Sequence, residues 1–131
     1  MKKIIYTDLA PKPIGPYNQA VLIDTLNQKT LYTSGQIAID PESGELKIKE
    51  LKEETHLVMQ HLKSLLSQVD MTFENVVKSS IFLSDMGNFA TVNEVYGSYF
   101  NEATAPARET VEVTNLPKYV NVEISVIAIT F

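Results

Sequence analysis

The run Val120-Asn121-Val122-Glu123-Ile124-Ser125-Val126-Ile127-Ala128-Ile129 decides the fold. Alternate side chains of a β-strand point to opposite faces. Val120, Val122, Ile124, Val126 and Ala128 therefore make one wholly apolar face, which needs a cover. Asn121, Glu123, Ser125, Ile127 and Ile129 make the other, which grades from polar to apolar. Glu123 is thus a carboxylate on a sheet face too apolar at its far end to be plain solvent. Two roles stay open for it on these residues alone. It is a solvent-facing glutamate on a half-exposed sheet, or, if another chain covers that face, a desolvated carboxyl with a pKa raised toward acid–base use.

The cover lies upstream. Over Lys49 to Asp70, residues Leu51, Thr55, Val58, Met59, Leu62, Leu65, Leu66 and Val69 follow 3–4 spacing and predict an amphipathic helix. Its opposite face carries Glu53, Glu54, Gln60, Lys63 and Gln68. A second amphipathic helix is predicted over Asp85 to Phe100, with Asn88 as its N-cap. Strands are predicted at Lys3–Tyr6, Gln19–Asp24, Lys29–Ile39, Val76–Leu83, Glu109–Val113 and Val120–Ile129. Residues 25–28 read as a hairpin connection and residues 40–44 as a turn. The order β-β-β-α-β-α-β-β places two helices on one face of a mostly antiparallel sheet, an α+β architecture.

Length and composition agree. A chain of 131 residues fits one domain, residues 1–131, and buries enough surface to need no staple. With no cysteine, a disulfide framework, a thiolate zinc site and a cysteine nucleophile are excluded. The net charge of −5 and a single basic doublet, Lys2-Lys3, disfavour binding to a nucleic-acid backbone. Only Ile4 to Tyr6 follow those lysines before Thr7, too short for a signal-peptide core. No run reaches the roughly 18 apolar residues of a membrane span. A soluble cytoplasmic protein is expected.

Few residues carry chemistry. His56 and His61 lie five apart, about 140° around a helix, so the i,i+4 pair that chelates a metal is absent. Both are expected as solvated helix histidines, and no metal site is expected. The chain has ten lysines and one arginine, Arg108. Either it is an ordinary surface charge, or it sits where only a planar fork will grip a carboxylate or phosphate. It follows Pro106 at a loop-to-strand junction. Pro11-Lys12-Pro13-Ile14-Gly15-Pro16-Tyr17 is a stiff, irregular loop; it either holds Tyr17 in place or is a surface turn with Tyr17 tucked into the core. Ser34-Gly35 interrupts a strand, which often marks a bulge or a close backbone approach. Glu109 and Glu112 read as cross-strand charges.

The segments APKPIGPYNQA, LYTSGQIAID, NFATVNEVYGSYF, APARETVEV and LPKYVNVEISVIAI, taken together, resemble the Rid family of reactive intermediate deaminases, also called the YjgF family, in its RidA-like subgroup. The resemblance runs almost end to end. It implies a chorismate-mutase-like fold and a homotrimer with a central barrel and inter-subunit clefts. It implies hydrolysis of 2-iminobutanoate, 2-iminopropanoate and their enamines, which leave pyridoxal-phosphate enzymes, to 2-keto acids and ammonia, with no cofactor. Arg108 would grip the substrate carboxylate. Ser34, Gly35, Tyr17 and Asn93 would line the cleft, and Glu123 would hold or activate water. Glu109-Thr110 stands where many members have Ser-Cys, so Thr110 would offer a backbone N–H and a small hydroxyl. Two alternatives accompany the resemblance: a keto-acid-binding regulatory module without turnover, and an endoribonuclease, a label some members carry.

Overall fold

The structure is a computed structural model and describes residues 1–130. Its strands are β1 (Lys2–Ile5), β2 (Ala20–Asp24), β3 (Lys29–Thr33), β4 (Val76–Leu83), β5 (Ala107–Glu112) and β6 (Val122–Thr130). They form one sheet in the order β1-β2-β3-β6-β4-β5. All neighbours are antiparallel except β4 and β5. That parallel pair is joined by helix α2 (Phe89–Gly97), the crossover that parallel strands require. The longer helix α1 (Leu51–Ser67) packs against α2, β3 and β6.

The apolar face of the last strand meets its predicted cover. Val122, Ile124, Val126 and Ala128 are buried together with Leu22, Leu31, Ile81 and Leu83 of neighbouring strands. Val58, Met59, Leu62, Leu65 and Leu66 of α1 and Val92 and Tyr96 of α2 close over them. No helix among the described residues is long and apolar enough to cross a membrane.

Several boundaries differ from the sequence reading. β3 ends at Thr33, not Ile39, because the Thr33 hydroxyl takes the N–H of Val126 at 3.0 Å and ends the ladder there. Beyond it Gln36 alone pairs again with β6, at Ile124, and Ile39 pairs with Leu46. The second helix starts later, since Asp85, in extended backbone, caps a short 3₁₀ turn at Met86–Asn88 through the Gly87 N–H. Asn88 is already helical there and makes no capping bond. Arg108 lies within β5 rather than before it. The N-cap of α1 is Glu50, whose carboxylate accepts from the N–H groups of Lys52 and Glu53.

Two polar residues of α1 are not on a solvated face. Glu54 and His61 are 0% and 1% exposed. Glu54 accepts from the Asn121 N–H at 2.8 Å and from Asn121 Nδ2 at 2.7 Å. Taking a carboxylate out of water costs several kcal/mol unless such bonds replace hydration. Burial raises its pKa, and the bonds from Asn121 and the Val122 backbone only partly offset this. His61 Nε2 lies 2.9 Å from the Ile39 carbonyl, so the ring is the donor of that bond. A helix stripe widened by long loops packed on its flank buries polar residues that an apolar count assigns to water.

His61 has its pKa lowered, chiefly by burial. The unfolded chain therefore takes up this proton at a higher pH than the folded chain. His61's contribution is fully present above its ordinary value near 6.5 and is lost as pH falls toward the depressed one. Urea unfolding at pH 7.5, 6.5 and 5.5 should show stability falling along that series. The slope should flatten in His61→Gln, which retains a donor for Ile39. An equal slope in the variant would assign the dependence to other groups.

Candidate functional site

The departure of β3 from β6 creates the site. With the ladder open between Thr33 and Gln36, the Ser34-Gly35 segment passes over the exposed face of β6 and lies against Glu123. A Cβ on Gly35 would sit 2.6 Å from Glu123 Cδ and 2.9 Å from Cγ, and closer still to Oε2. Glycine is required here by close approach, since its backbone is not in the left-handed region. The strand interruption at Ser34-Gly35 is thus the predicted close approach.

Around this contact lies a cavity of about 330 Å³. Pro11, Lys12, Ile14 and Tyr17 form one wall. Ser34, Gly35, Gln36, Ile37 and Ile39 form another, and Pro117 and Glu123 complete it with Gln19. The first wall is irregular chain, and one buried side chain ties it down. Gln19 accepts from the Thr7 N–H at 2.7 Å and donates to the carbonyls of Thr7, Ala10 and Pro11. Tyr17 is 47% exposed, so it is held outward and not tucked into the core. Its hydroxyl accepts from the Ile14 N–H at 3.3 Å. Ser34 donates its hydroxyl to the Asn18 carbonyl.

Glu123 is half-buried, and burial is the sole cause that raises its pKa. No cation or donor of the described residues offsets that burial. A carboxylate so placed keeps its proton to higher pH than usual and has both oxygens free for a ligand or water.

Arg108 lies elsewhere. In the β4–β5 register it pairs with Ser79, and Thr110 pairs with Ile81. Ser79 and Ile81 are buried toward the helices. Glu123 pairs instead with Phe82, whose side chain points to the open face. Arg108 and Glu123 are therefore on opposite faces of one sheet. Asn93 Oδ1 accepts from Arg108 Nη1 at 2.7 Å. The guanidinium stacks over Phe89 and Tyr96 at 5.7 and 5.2 Å. This holds its plane while leaving the other N–H groups free, the arrangement that suits a bidentate anion. The Thr110 hydroxyl is buried without a partner. Glu109 pairs across the strands with Lys78 at 2.9 Å and bonds Ser80, whereas Glu112 accepts from the Met86 N–H.

The sequence-predicted residues thus fall into two groups. Tyr17, Ser34, Gly35 and Glu123 share one cavity. Arg108, Asn93 and Thr110 lie on the helix side of the sheet edge. Gln19, Lys12 and Pro117 were not singled out. Gln19 had a readable signal, a glutamine beginning an otherwise apolar strand beside a proline-rich loop. Neither histidine lines the cavity; His56 Nδ1 lies 2.8 Å from the Tyr99 hydroxyl. No group of three metal-ligating side chains is present among the described residues.

The profile of the endoribonuclease L-PSP family matches residues 7–130. A RutC family protein of Pyrococcus horikoshii is 44% identical over 128 residues, covering 98% of each chain. The mouse 2-iminobutanoate/2-iminopropanoate deaminase is 42% identical over 129 residues, covering 98% of this chain and 92% of its own. A Yersinia pestis protein of the Rid family superposes with a TM-score of 0.90 at 41% identity, covering 98% of both chains.

Gly35→Ala should displace the Glu123 carboxylate, because that side chain is the movable partner of the close contact. A stability loss of about 1–3 kcal/mol is expected from the overpacking. A crystal structure of the variant with Glu123 unmoved, and unchanged denaturant midpoint, would show that the contact is not restrictive.

Proposed function

This chain belongs to the Rid family, whose profile carries the endoribonuclease L-PSP description, and from that premise we propose that it is an imine deaminase. It would convert 2-iminobutanoate and 2-iminopropanoate, with the enamines that tautomerise to them, into 2-keto acids and ammonia. The observation that carries this is Glu123, a half-buried carboxylate with a raised pKa and no partner, facing a cavity beneath Gly35.

The chemistry asks for little. Water adds to the carbon of the iminium, R–C(=NH2+)–COO−, while Glu123 accepts its proton. The proton passes to nitrogen in the resulting carbinolamine. The C–N bond breaks as Glu123 takes the hydroxyl proton and passes it to the departing ammonia, so the products are R–CO–COO− and NH4+. Water is the only co-reactant, so no cofactor is invoked. A positioned base supplies about 10²–10⁴-fold in such steps, and fixing the substrate beside it adds to this.

The carboxylate of the substrate needs a counter-charge, and Arg108 is its candidate. Within one chain Arg108 faces away from Glu123. A second copy must then bring its Arg108 to this chain's Glu123, which favours the homotrimer with clefts between subunits. The open sheet face fits such an assembly, since Tyr32, Val77 and Val111 leave apolar surface there. Tyr17, Ser34 and Gly35 would line the cleft with Glu123. Asn93 would hold the Arg108 plane, and Thr110 would offer its free hydroxyl beside it. A cytoplasmic location would bring the protein to the enzymes that release such imines. Deamination is favoured over RNA cleavage because neither histidine reaches the cavity and Arg108 is the sole guanidinium.

Keto-acid release from 2-iminobutanoate, generated in situ by a dehydratase, tests this. The wild type should accelerate release. Arg108→Lys should lose roughly 10–100-fold in kcat/KM, the worth of a bidentate charged pair. Glu123→Gln should lose about 10²-fold. Binding of 2-oxobutanoate without acceleration would point to a regulatory module instead.

Two further outcomes follow from the geometry. Unfolded together and refolded as a mixture, Arg108→Ala and Glu123→Gln chains should regain activity that neither has alone, because some clefts then join an intact arginine to an intact glutamate. No recovery would place both residues of a working site in one chain. With Glu123 as base and its pKa raised by burial, kcat should fall as pH drops through that raised value. A flat kcat down to pH 4 would remove Glu123 from proton transfer.

A further inference from the structure

We infer that Glu54 is a positioning residue for the Glu123 carboxylate, acting from α1 through Asn121; this rests on the deaminase reading of the Glu123 site. Glu123 has no side-chain partner to hold it, so its place is set by its backbone and by Gly35. That backbone is secured unevenly. From Val122 to Val126 the β4 ladder runs along one edge of β6. Along the other edge β3 pairs only from Ile127 onward, and between them stands the lone Gln36–Ile124 bridge. The part of β6 that carries Glu123 is therefore the least supported on the side facing the cavity.

Glu54 anchors the free end of this segment. Its two oxygens take the Asn121 N–H and Asn121 Nδ2, two residues before Glu123. The Asn121 carbonyl accepts from the Ser84 N–H at 3.2 Å, so the residue is held on both sides. The Asn121 side chain turns to Glu54 on α1, whereas Glu123 leaves the open face of β6, with Val122 between them in the core. A shift of Asn121 would twist the start of β6 and carry Glu123 across the Gly35 contact. Both Asn121 groups that face Glu54 are donors, so a carboxylate accepts from each with its own oxygen, whereas an amide would set its NH2 against one of them.

The test uses the full chain, with Glu54→Gln, Asn121→Ala and the double variant Glu54→Gln/Asn121→Asp. In the double variant the bond is reversed: the glutamine amide donates to the aspartate side chain, and its oxygen keeps the backbone N–H of position 121. Three readouts are taken: kcat and KM for 2-iminobutanoate, the Glu123 carboxyl titration by carbon-13 NMR, and the melting temperature. Glu54→Gln should lower kcat about tenfold with KM within about twofold, as a misplaced reacting group does. Its Glu123 titration midpoint should move, and the double variant should return both toward wild type.

A lowered melting temperature with kcat and the Glu123 midpoint unchanged would overturn the inference and leave Glu54 as a strand cap only. If Glu54→Gln does not fold, Asn121→Ala is read by the same criteria, since it keeps the carboxylate and the backbone bond. If the wild type shows no turnover, the deaminase reading fails by itself. The NMR midpoint then decides: movement in Glu54→Gln supports the positioning role, and a fixed midpoint overturns it.

Discussion

β6 must satisfy two opposite demands at once. One face has to be sealed, because Val122, Ile124, Val126 and Ala128 lose stability with every exposed methylene, roughly 0.8 kcal/mol each. The other has to stay accessible at Glu123 and still be apolar enough to desolvate it. Strand alternation meets both without any special geometry. The remaining architecture arranges neighbours around that strand: α1 and α2 on the sealed face, β3 and β4 on its edges, and an opening on one edge where Thr33 turns its hydroxyl to Val126.

The walls of the cavity are made of irregular chain, and irregular chain leaves backbone groups unpaired. The protein meets this with buried polar side chains reaching across long sequence separations. Gln19 ties down residues 7–11, His61 bonds the Ile39 carbonyl, and Glu54 takes the start of β6. Each side chain is buried, and each fastens a segment that carries cavity residues. The core and the site therefore share these fastenings.

Much of this was legible in the chain. The apolar stripe of α1 follows from 3–4 spacing, and the two faces of β6 follow from alternation. The interruption at Ser34-Gly35 signalled a close approach, which the Gly35–Glu123 contact provides. The lone arginine left a surface charge and a fork for an anion equally open; the structure adds that Asn93, Phe89 and Tyr96 hold its plane. Where the reading failed, long-range contacts overrode local pattern. Asn88 had the right residue type for a cap, but the chain was already helical there, and Asp85 had the extended backbone that capping needs. His61 and Glu54 lay off the apolar stripe. Loops distant in sequence, at Ile39 and Asn121, packed over them and gave them partners.

The amino-acid sequence by itself determined the class of fold, the element order and the identity of the groups able to do chemistry. These depend on periodicity and on side-chain type, both of which are local. Only the tertiary structure decided which of those groups meet. Strand register put Glu123 and Gly35 in one cavity and turned Arg108 to the other side of the sheet. Register is a relation between segments far apart in the chain, and a shift of one residue would reverse every such assignment.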